Sequence, residues 1–269
     1  MVLESIMNPR NAEDKPWHVF ILAFFYSFVA IFFAHQLFPS QSSILAISLI
    51  TIIFVPFFQR LFEIEEKKEC FAARNKFGNL FTRHAKIIYT FSAFFMGIIL
   101  AMNLTYIFFG FEDVFVLQKE WFAGQGITGN ATGNTSFTLY FINNSQVMIL
   151  MFILSTMFGA GAIFILAWNA SVISVYLGLI YHSFVNQGMN IGTAYFYGIP
   201  AGLGAIALHG IPEILAYFIA GLAGGILSVG IIREKIISKE FKKVFMDSVM
   251  FLVIAEALIF VAAYLEAYV

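Results

Sequence analysis

Long apolar segments constrain what this chain can fold into more than any other feature of its sequence. A membrane-spanning helix needs about 20 predominantly apolar residues, and segments of that size recur from end to end. They cover residues 17–38, 44–62, 85–109, 147–184, 194–232 and 244–268. This pattern predicts an all-α, polytopic transmembrane protein, organised as a single integral membrane domain over residues 1–269.

Charged residues are too few to cover a soluble surface. They make up 12% of the chain, against about 25% in a typical soluble domain. We therefore expect the lipid bilayer to be the main partner. The net charge of −1 gives no reason to expect nucleic-acid binding, and the single cysteine, Cys70, excludes an intrachain disulfide.

Two of the apolar segments are each too long for one span and short for two spans with a normal loop. Gly159-Ala-Gly161 and Trp168-Asn169 interrupt the first, and His209-Gly-Ile-Pro-Glu213 interrupts the second. Paired interruptions predict short helices that enter the membrane and turn back, as at transporter binding sites. We expect pieces at 147–167, 169–184, 194–209 and 211–232, with 169–184 and 194–209 broken or re-entrant. Two helical hairpins with tight Gly/Pro turns are the alternative.

The distribution of positive charge predicts an orientation. Of the 15 Lys and Arg residues, Lys119 alone lies in the connection 110–146. We expect a protein of the cell (plasma) membrane, and the positive-inside rule then predicts that its N-terminus lies in the cytoplasm. The connection 110–146 and the C-terminus are predicted to lie outside the cytoplasm. Residues 60–86, with Glu and Lys at helical spacing, are expected to form a solvated cytoplasmic helix. Arrangements with seven or with five crossings satisfy this orientation.

The connection 110–146 is rich in Gly, Asn and Thr near its centre, which predicts a flexible extracytoplasmic loop. Its triplets beginning at Asn130, Asn134 and Asn143 fit the N-glycosylation acceptor pattern.

Ionisable residues inside apolar segments are candidates for function because burying them in a membrane is costly. His209 and Glu213 form the strongest pair. Pro212 suits the first turn of a helix, and Glu213 would then meet the positive end of that helix. One interpretation is an ion, proton or metal site at a helix break. The other is a cap that satisfies backbone groups at the break.

Asn169 and Glu256 are the remaining candidates for a ligand or ion pathway. Asn169 either caps a helix through its side-chain oxygen or faces the His209–Glu213 break across the site. Glu256 lies mid-way along the last span, where a carboxylate must pair or take up a proton.

Gly221, Gly224, Gly225 and Gly230 recur at a spacing that lets membrane helices approach closely. They serve either packing within one chain or the face of a homo-oligomer, of which a dimer is the simplest.

Signatures of an enzyme are absent. The sequence contains no HExxH, CxxC, GxSxG or GxxxxGK[ST] motif, so we expect no catalytic residues and no cofactor. A His–Glu pair also offers too few ligands for an intramembrane zinc protease.

Several stretches resemble the stage II sporulation protein M family in its archaeal form. They are residues 158–171, residues 209–225 with their His-Gly-x-x-Glu element, and the opening Met1-Val-Leu-Glu. The resemblance covers nearly the whole chain. It implies a multi-pass membrane protein without known enzymatic activity. The namesake of the family, in spore-forming bacteria, belongs to a membrane complex that localises peptidoglycan-degrading enzymes.

Two functions follow as hypotheses. The broken-helix pattern favours a channel or transporter for an ion or small solute. The family role favours a non-catalytic scaffold that recruits membrane or envelope-remodelling partners through the outer loop and the cytoplasmic helix.

Overall fold

The computed structural model describes residues 9–75, 79–124 and 137–269 as a bundle of helices. Nine α-helices follow one another through these residues, and two 3-10 turns, Pro39–Gln41 and Glu112–Phe115, lie between them. The helices are α1 (Pro9–Asp14), α2 (Pro16–Leu37), α3 (Ser42–Asn75), α4 (Leu80–Phe108), α5 (Val116–Gly124), α6 (Phe137–Phe158), α7 (Ala162–Asn186), α8 (Ile191–Arg233) and α9 (Lys239–Tyr268).

Seven of these helices, all except α1 and α5, are long and apolar enough to cross a membrane. The all-α, membrane-spanning fold predicted from the sequence is therefore confirmed. Large apolar side chains remain exposed around the bundle, among them Phe25, Ile52 and Phe196, as expected where lipid replaces water.

The structure does not confirm broken or re-entrant helices. Asn169 lies inside α7 and His209–Glu213 lies inside α8, both of which are continuous. The first long segment does break at the predicted Gly159-Ala-Gly161, between α6 and α7, and the φ of +74° at Gly159 suits glycine. Pro200 and Pro212 both lie within α8, because a membrane helix tolerates proline when neighbouring groups satisfy the freed backbone carbonyl.

Residues 60–86 do not form a separate solvated helix. Residues 60–75 continue α3, and residues 80–86 begin α4. The connection 110–146 is also partly helical, since it contains α5 and the first ten residues of α6. Asn143 lies on α6 with an exposed side chain, whereas Asn130 and Asn134 lie outside the described residues.

The central helix is α8. Its most apolar window is 83% buried, compared with 17% for that of α6, and it packs mainly on α9, α6 and α7. A Cβ on Gly224 would lie 2.5 Å from the Phe152 carbonyl oxygen, and one on Gly225 would lie 2.5 Å from the Phe62 ring. These glycines therefore serve packing within the chain.

Stacked aromatic rings join α8 to α3 and α4. The ring centroids of Phe58 and Phe91 lie 4.9 Å apart, and those of Phe91 and Phe218 lie 5.6 Å apart. All three side chains are almost fully buried, so these rings form the middle of the bundle.

One end of the bundle gathers most of its ion pairs. There α1, the end of α3, the start of α4 and the corner between α8 and α9 meet through the pairs Lys68–Glu13, Lys86–Asp14, Arg74–Glu240 and Arg233–Glu63. We call this region the charged end.

Candidate functional site

The predicted residues Glu213 and His209 lie one turn apart on α8. Because α8 is continuous through both positions, their i,i+4 spacing places them on one face of the helix. The Tyr217 hydroxyl, one further turn along, donates a hydrogen bond of 2.9 Å to Glu213 Oε1. His209 makes no hydrogen bond within the described residues.

A second carboxylate, Glu266, lies on α9, and the negative charge of Glu213 repels it electrostatically. No Lys, Arg or His side chain forms an ion pair with either carboxylate among the described residues. We call Glu213, Tyr217 and Glu266 the carboxylate pair site. It joins the central helix to the last helix.

The other two predicted residues lie elsewhere. Asn169 Nδ2 donates to the Ile165 carbonyl of its own helix at 2.9 Å. Glu256 accepts a hydrogen bond of 2.8 Å from the Ser145 hydroxyl of α6, and lies about 15 Å along α9 from Glu266. The structure thus brings His209 and Glu213 onto one face and does not bring Asn169 or Glu256 to them.

A buried ion network at the charged end was not predicted from the sequence. At its centre, His84 of α4 hydrogen-bonds Glu65 through Nδ1 and Glu69 through Nε2. The side chains of Glu65 and Glu69 are 0% exposed. Since both ring nitrogens face carboxylates, both carry protons, and His84 is an imidazolium ion.

Further pairs extend this network to α1 and α9. Arg83 Nη2 lies 2.9 Å from both Glu69 Oε2 and Asp247 Oδ2. Lys68 Nζ lies 2.6 Å from Glu65 Oε1 and 2.9 Å from Glu13 Oε1. Lys243 completes the set through Asp247. Four acidic and four basic side chains therefore balance one another within the network.

Two carboxyl groups on α1 respond differently to this environment. Burial, together with a hydrogen bond to Glu65 and repulsion from it, raises the pKa of Glu13 to about 7 despite the opposing effect of Lys68. The exposed Asp14 has its pKa lowered by a hydrogen bond from Lys86. Glu13 can therefore change its protonation near neutral pH.

Buried polar groups also join α4, α5 and α7. Asn103 Nδ2 donates to the Ser174 carbonyl at 3.1 Å, and Gln118 Nε2 donates to Ser171 Oγ at 2.9 Å. All four residues are buried. Hydrogen bonds of this kind hold membrane helices together, so we assign these residues to packing.

One group of side chains among the described residues has ligand atoms close enough together to hold a metal ion. It consists of Glu66, Cys70 and Glu234, and it lies beside the ion network at the charged end.

Comparison with known proteins gives one match. The family model described as stage II sporulation protein M matches residues 87–269. Searches of curated proteins and of solved structures give no match. The matched region runs from the early part of α4 to the end of the chain, and so includes the carboxylate pair site, together with Glu234 and Asp247 but not His84. Because this match covers more than half of the chain, the protein belongs to the stage II sporulation protein M family.

Proposed function

We propose that the protein transports a cation, in the first instance a proton, through the carboxylate pair site. The observation that carries this proposal is that Glu213 and Glu266 lie on two apolar helices that pack against each other, and that their charges repel. The Tyr217 hydroxyl is the hydrogen-bond partner of Glu213. Neither carboxylate has a cationic side chain as partner among the described residues.

The chemistry of such a pair favours cation binding. Two carboxylates that repel each other in an apolar environment resist being ionised together unless a positive charge compensates them. They share a proton or bind a cation, and ionisable groups of this kind mark ion pathways in membrane proteins. His209, one turn from Glu213 on the same face of α8, places a second polar side chain beside it.

The expected orientation of the protein in the membrane indicates the side from which the cation enters. With the charged end in the cytoplasm, as the positive-inside rule expects, α9 ends outside the cytoplasm of a cell membrane. Glu266, three residues before the end of the chain, then lies towards the outer surface. A cation would reach the carboxylate pair site from that side.

The test is ion flux into liposomes that contain the purified protein. A proton-sensitive dye inside the vesicles reports proton uptake driven by an imposed gradient, with sodium and potassium tested in parallel. We expect Glu213→Gln and Glu266→Gln each to reduce flux at least tenfold. Glu120→Gln, which changes an exposed carboxylate on α5, serves as the matched control. Wild-type protein that is folded but carries no flux of any tested cation would rule the proposal out.

A second proposal is a non-catalytic scaffold for membrane or envelope partners. It is favoured by Ile236 and Ile237, which are 72% and 88% exposed at the corner between α8 and α9, beside Lys235. Crosslinking in native membranes, comparing wild type with Ile236→Ser/Ile237→Ser, tests it. Loss of a crosslinked partner in the double variant, without loss of flux, would favour the scaffold. Identical crosslinking of the two proteins would count against this corner as a docking point.

A further inference from the structure

We propose that Glu66, Cys70 and Glu234 bind a divalent transition metal ion, with zinc as the best fit. This site is separate from the carboxylate pair site and does not depend on the proposed transport. Glu66 and Cys70 lie one turn apart on α3, and Glu234 follows the last residue of α8. A metal ion would therefore clamp α3 to the corner between α8 and α9.

The distances suit a compact coordination sphere. Cys70 Sγ lies 2.9 Å from Glu66 Oε1 and 3.6 Å from Glu234 Oε1, and all three ligand atoms lie within 4.8 Å of one another. In a tetrahedral zinc site, with Zn–S about 2.3 Å and Zn–O about 2.0 Å, neighbouring ligand atoms lie ~3.3–3.6 Å apart. Small movements of the three side chains bring them to these separations.

The state of Glu66 gives a second, independent reason to expect a cation. Glu66 is only 2% exposed, and its neighbours Glu65 and Glu69 are equally buried. Those two carboxylates are each neutralised by cationic side chains. Among the described residues, Glu66 has no cationic partner and no partner outside the three-residue group. A buried carboxylate needs a compensating positive charge, and a metal ion at this place supplies it.

The residues around the three ligands also favour a cation at this place. Glu234 is the C-cap of α8, where the negative end of the helix dipole favours cations. Arg74 is 68% exposed, and its Nε lies 2.9 Å from Glu240 Oε1. Glu240 therefore takes the hydrogen bond of this guanidinium, whose charge acts on Cys70 and Glu234 only at longer range.

The donor set indicates the class of metal. One sulfur and two carboxylate oxygens suit zinc, with cobalt as its spectroscopic substitute, better than the all-oxygen preference of calcium or magnesium. Binding displaces the thiol proton: the Cys70 thiol and M²⁺ give the metal thiolate and H⁺. Three protein ligands leave a fourth position for water.

The test uses the full-length protein in detergent, with the purification tag removed and metals stripped by a chelator. One equivalent of Co²⁺ should produce the thiolate-to-cobalt charge-transfer band in the near ultraviolet. Zn²⁺ should displace the cobalt, give one metal per chain by elemental analysis, and raise the unfolding temperature.

Substitutions test which residues bind the metal ion. We expect Cys70→Ser to abolish the charge-transfer band and Glu234→Gln to weaken Co²⁺ binding at least tenfold. Glu120→Gln, which changes an exposed carboxylate on α5 outside the ligand set, should bind as wild type does. Absence of the band in folded wild-type protein, or equal Zn²⁺ binding by wild type and Cys70→Ser, would overturn the proposal.

Discussion

The charged end and the carboxylate pair site treat acidic groups in opposite ways. At the charged end, Glu65 and Glu69 are fully buried and are met by cations from α3 and α4. At the carboxylate pair site, Glu213 receives one hydroxyl hydrogen bond and faces a second carboxylate. In the first region, basic side chains of the protein compensate the carboxylates. In the second region, we expect a proton or a cation from outside the protein to do so.

Whether an acidic side chain has a basic partner therefore distinguishes structural from functional carboxylates better than its burial does. A closed network of ions holds helices in one arrangement, and removing one member leaves its partners buried and unpaired. A carboxylate pair without such partners gains or loses a cation without breaking the packing around it. Three predictions test this contrast.

The largest effect is expected for His84→Ala. This change removes the imidazolium ion that lies between Glu65 and Glu69, and leaves two buried carboxylates with less compensation. We expect a loss of about 3–5 kcal/mol in the free energy of unfolding, measured by denaturant titration in detergent. His35→Ala is the matched control, because His35 pairs with Asp113 in a half-exposed position, and should cost less than about 1 kcal/mol. Equal losses in the two variants would mean that the network does not behave as a closed unit.

A smaller effect, of opposite sign in the two regions, is expected when single carboxylates are neutralised. Glu65→Gln should destabilise the protein by about 2–3 kcal/mol, because His84 and Lys68 lose a shared counter-ion. Glu213→Gln should raise stability by roughly 0.5–1 kcal/mol, because it removes repulsion from Glu266 and retains an acceptor for Tyr217. The unfolding temperatures of the two variants give the comparison. A destabilised Glu213→Gln variant would show that Glu213 already has a compensating partner.

The smallest effect concerns Glu13. Its pKa is raised in the folded chain to about 7 from 4.5, so the folded chain binds more protons than the unfolded chain between these pH values. Stability should therefore fall as pH rises through this window, by about 1 kcal/mol after screening by solvent. Unfolding temperatures at pH 5 and pH 8 measure this fall.

Two variants act as controls for the pH effect. Glu13→Gln should make the profile less steep, since it removes one of the titrating groups of the network. Asp14→Asn should leave it unchanged, because the pKa of Asp14 is lowered and the group stays ionised over the whole window. A profile that is as steep in Glu13→Gln as in wild type would assign the effect to another group.

The sequence predicts the membrane-spanning helices of this protein well, because each is determined by its own stretch of about 20 apolar residues. The predicted break at Gly159-Ala-Gly161 is present, but the ones at Trp168-Asn169 and His209–Glu213 fall inside continuous helices, and the reason is physical. Pro212 inside an apolar run is a breaker in water, but in α8 it remains within a continuous helix. Gly159, which does end a helix, is distinguished by its positive φ, a property that the glycine at position 161 does not share.

The sites could be predicted only in part. Glu213 was found because an ionisable residue in an apolar run stands out. Glu266 was missed as a site residue because it lies near the chain terminus, where a charge is ordinary. The ion network was missed because Glu and Lys at helical spacing also occur on solvated faces, and because the partners His84 and Asp247 come from distant helices. The signal in the sequence that could have indicated the network is His84, a histidine next to the start of the predicted span 85–109.

The length of α8 has a consequence for its place in the membrane. Its 43 residues extend for ~65 Å, about twice the hydrocarbon thickness of a bilayer. Glu213 and Glu234 therefore lie about 30 Å apart along one helix. A helix this long tilts, kinks or projects into water, so a single element serves both the apolar interior and the aqueous boundary of the protein.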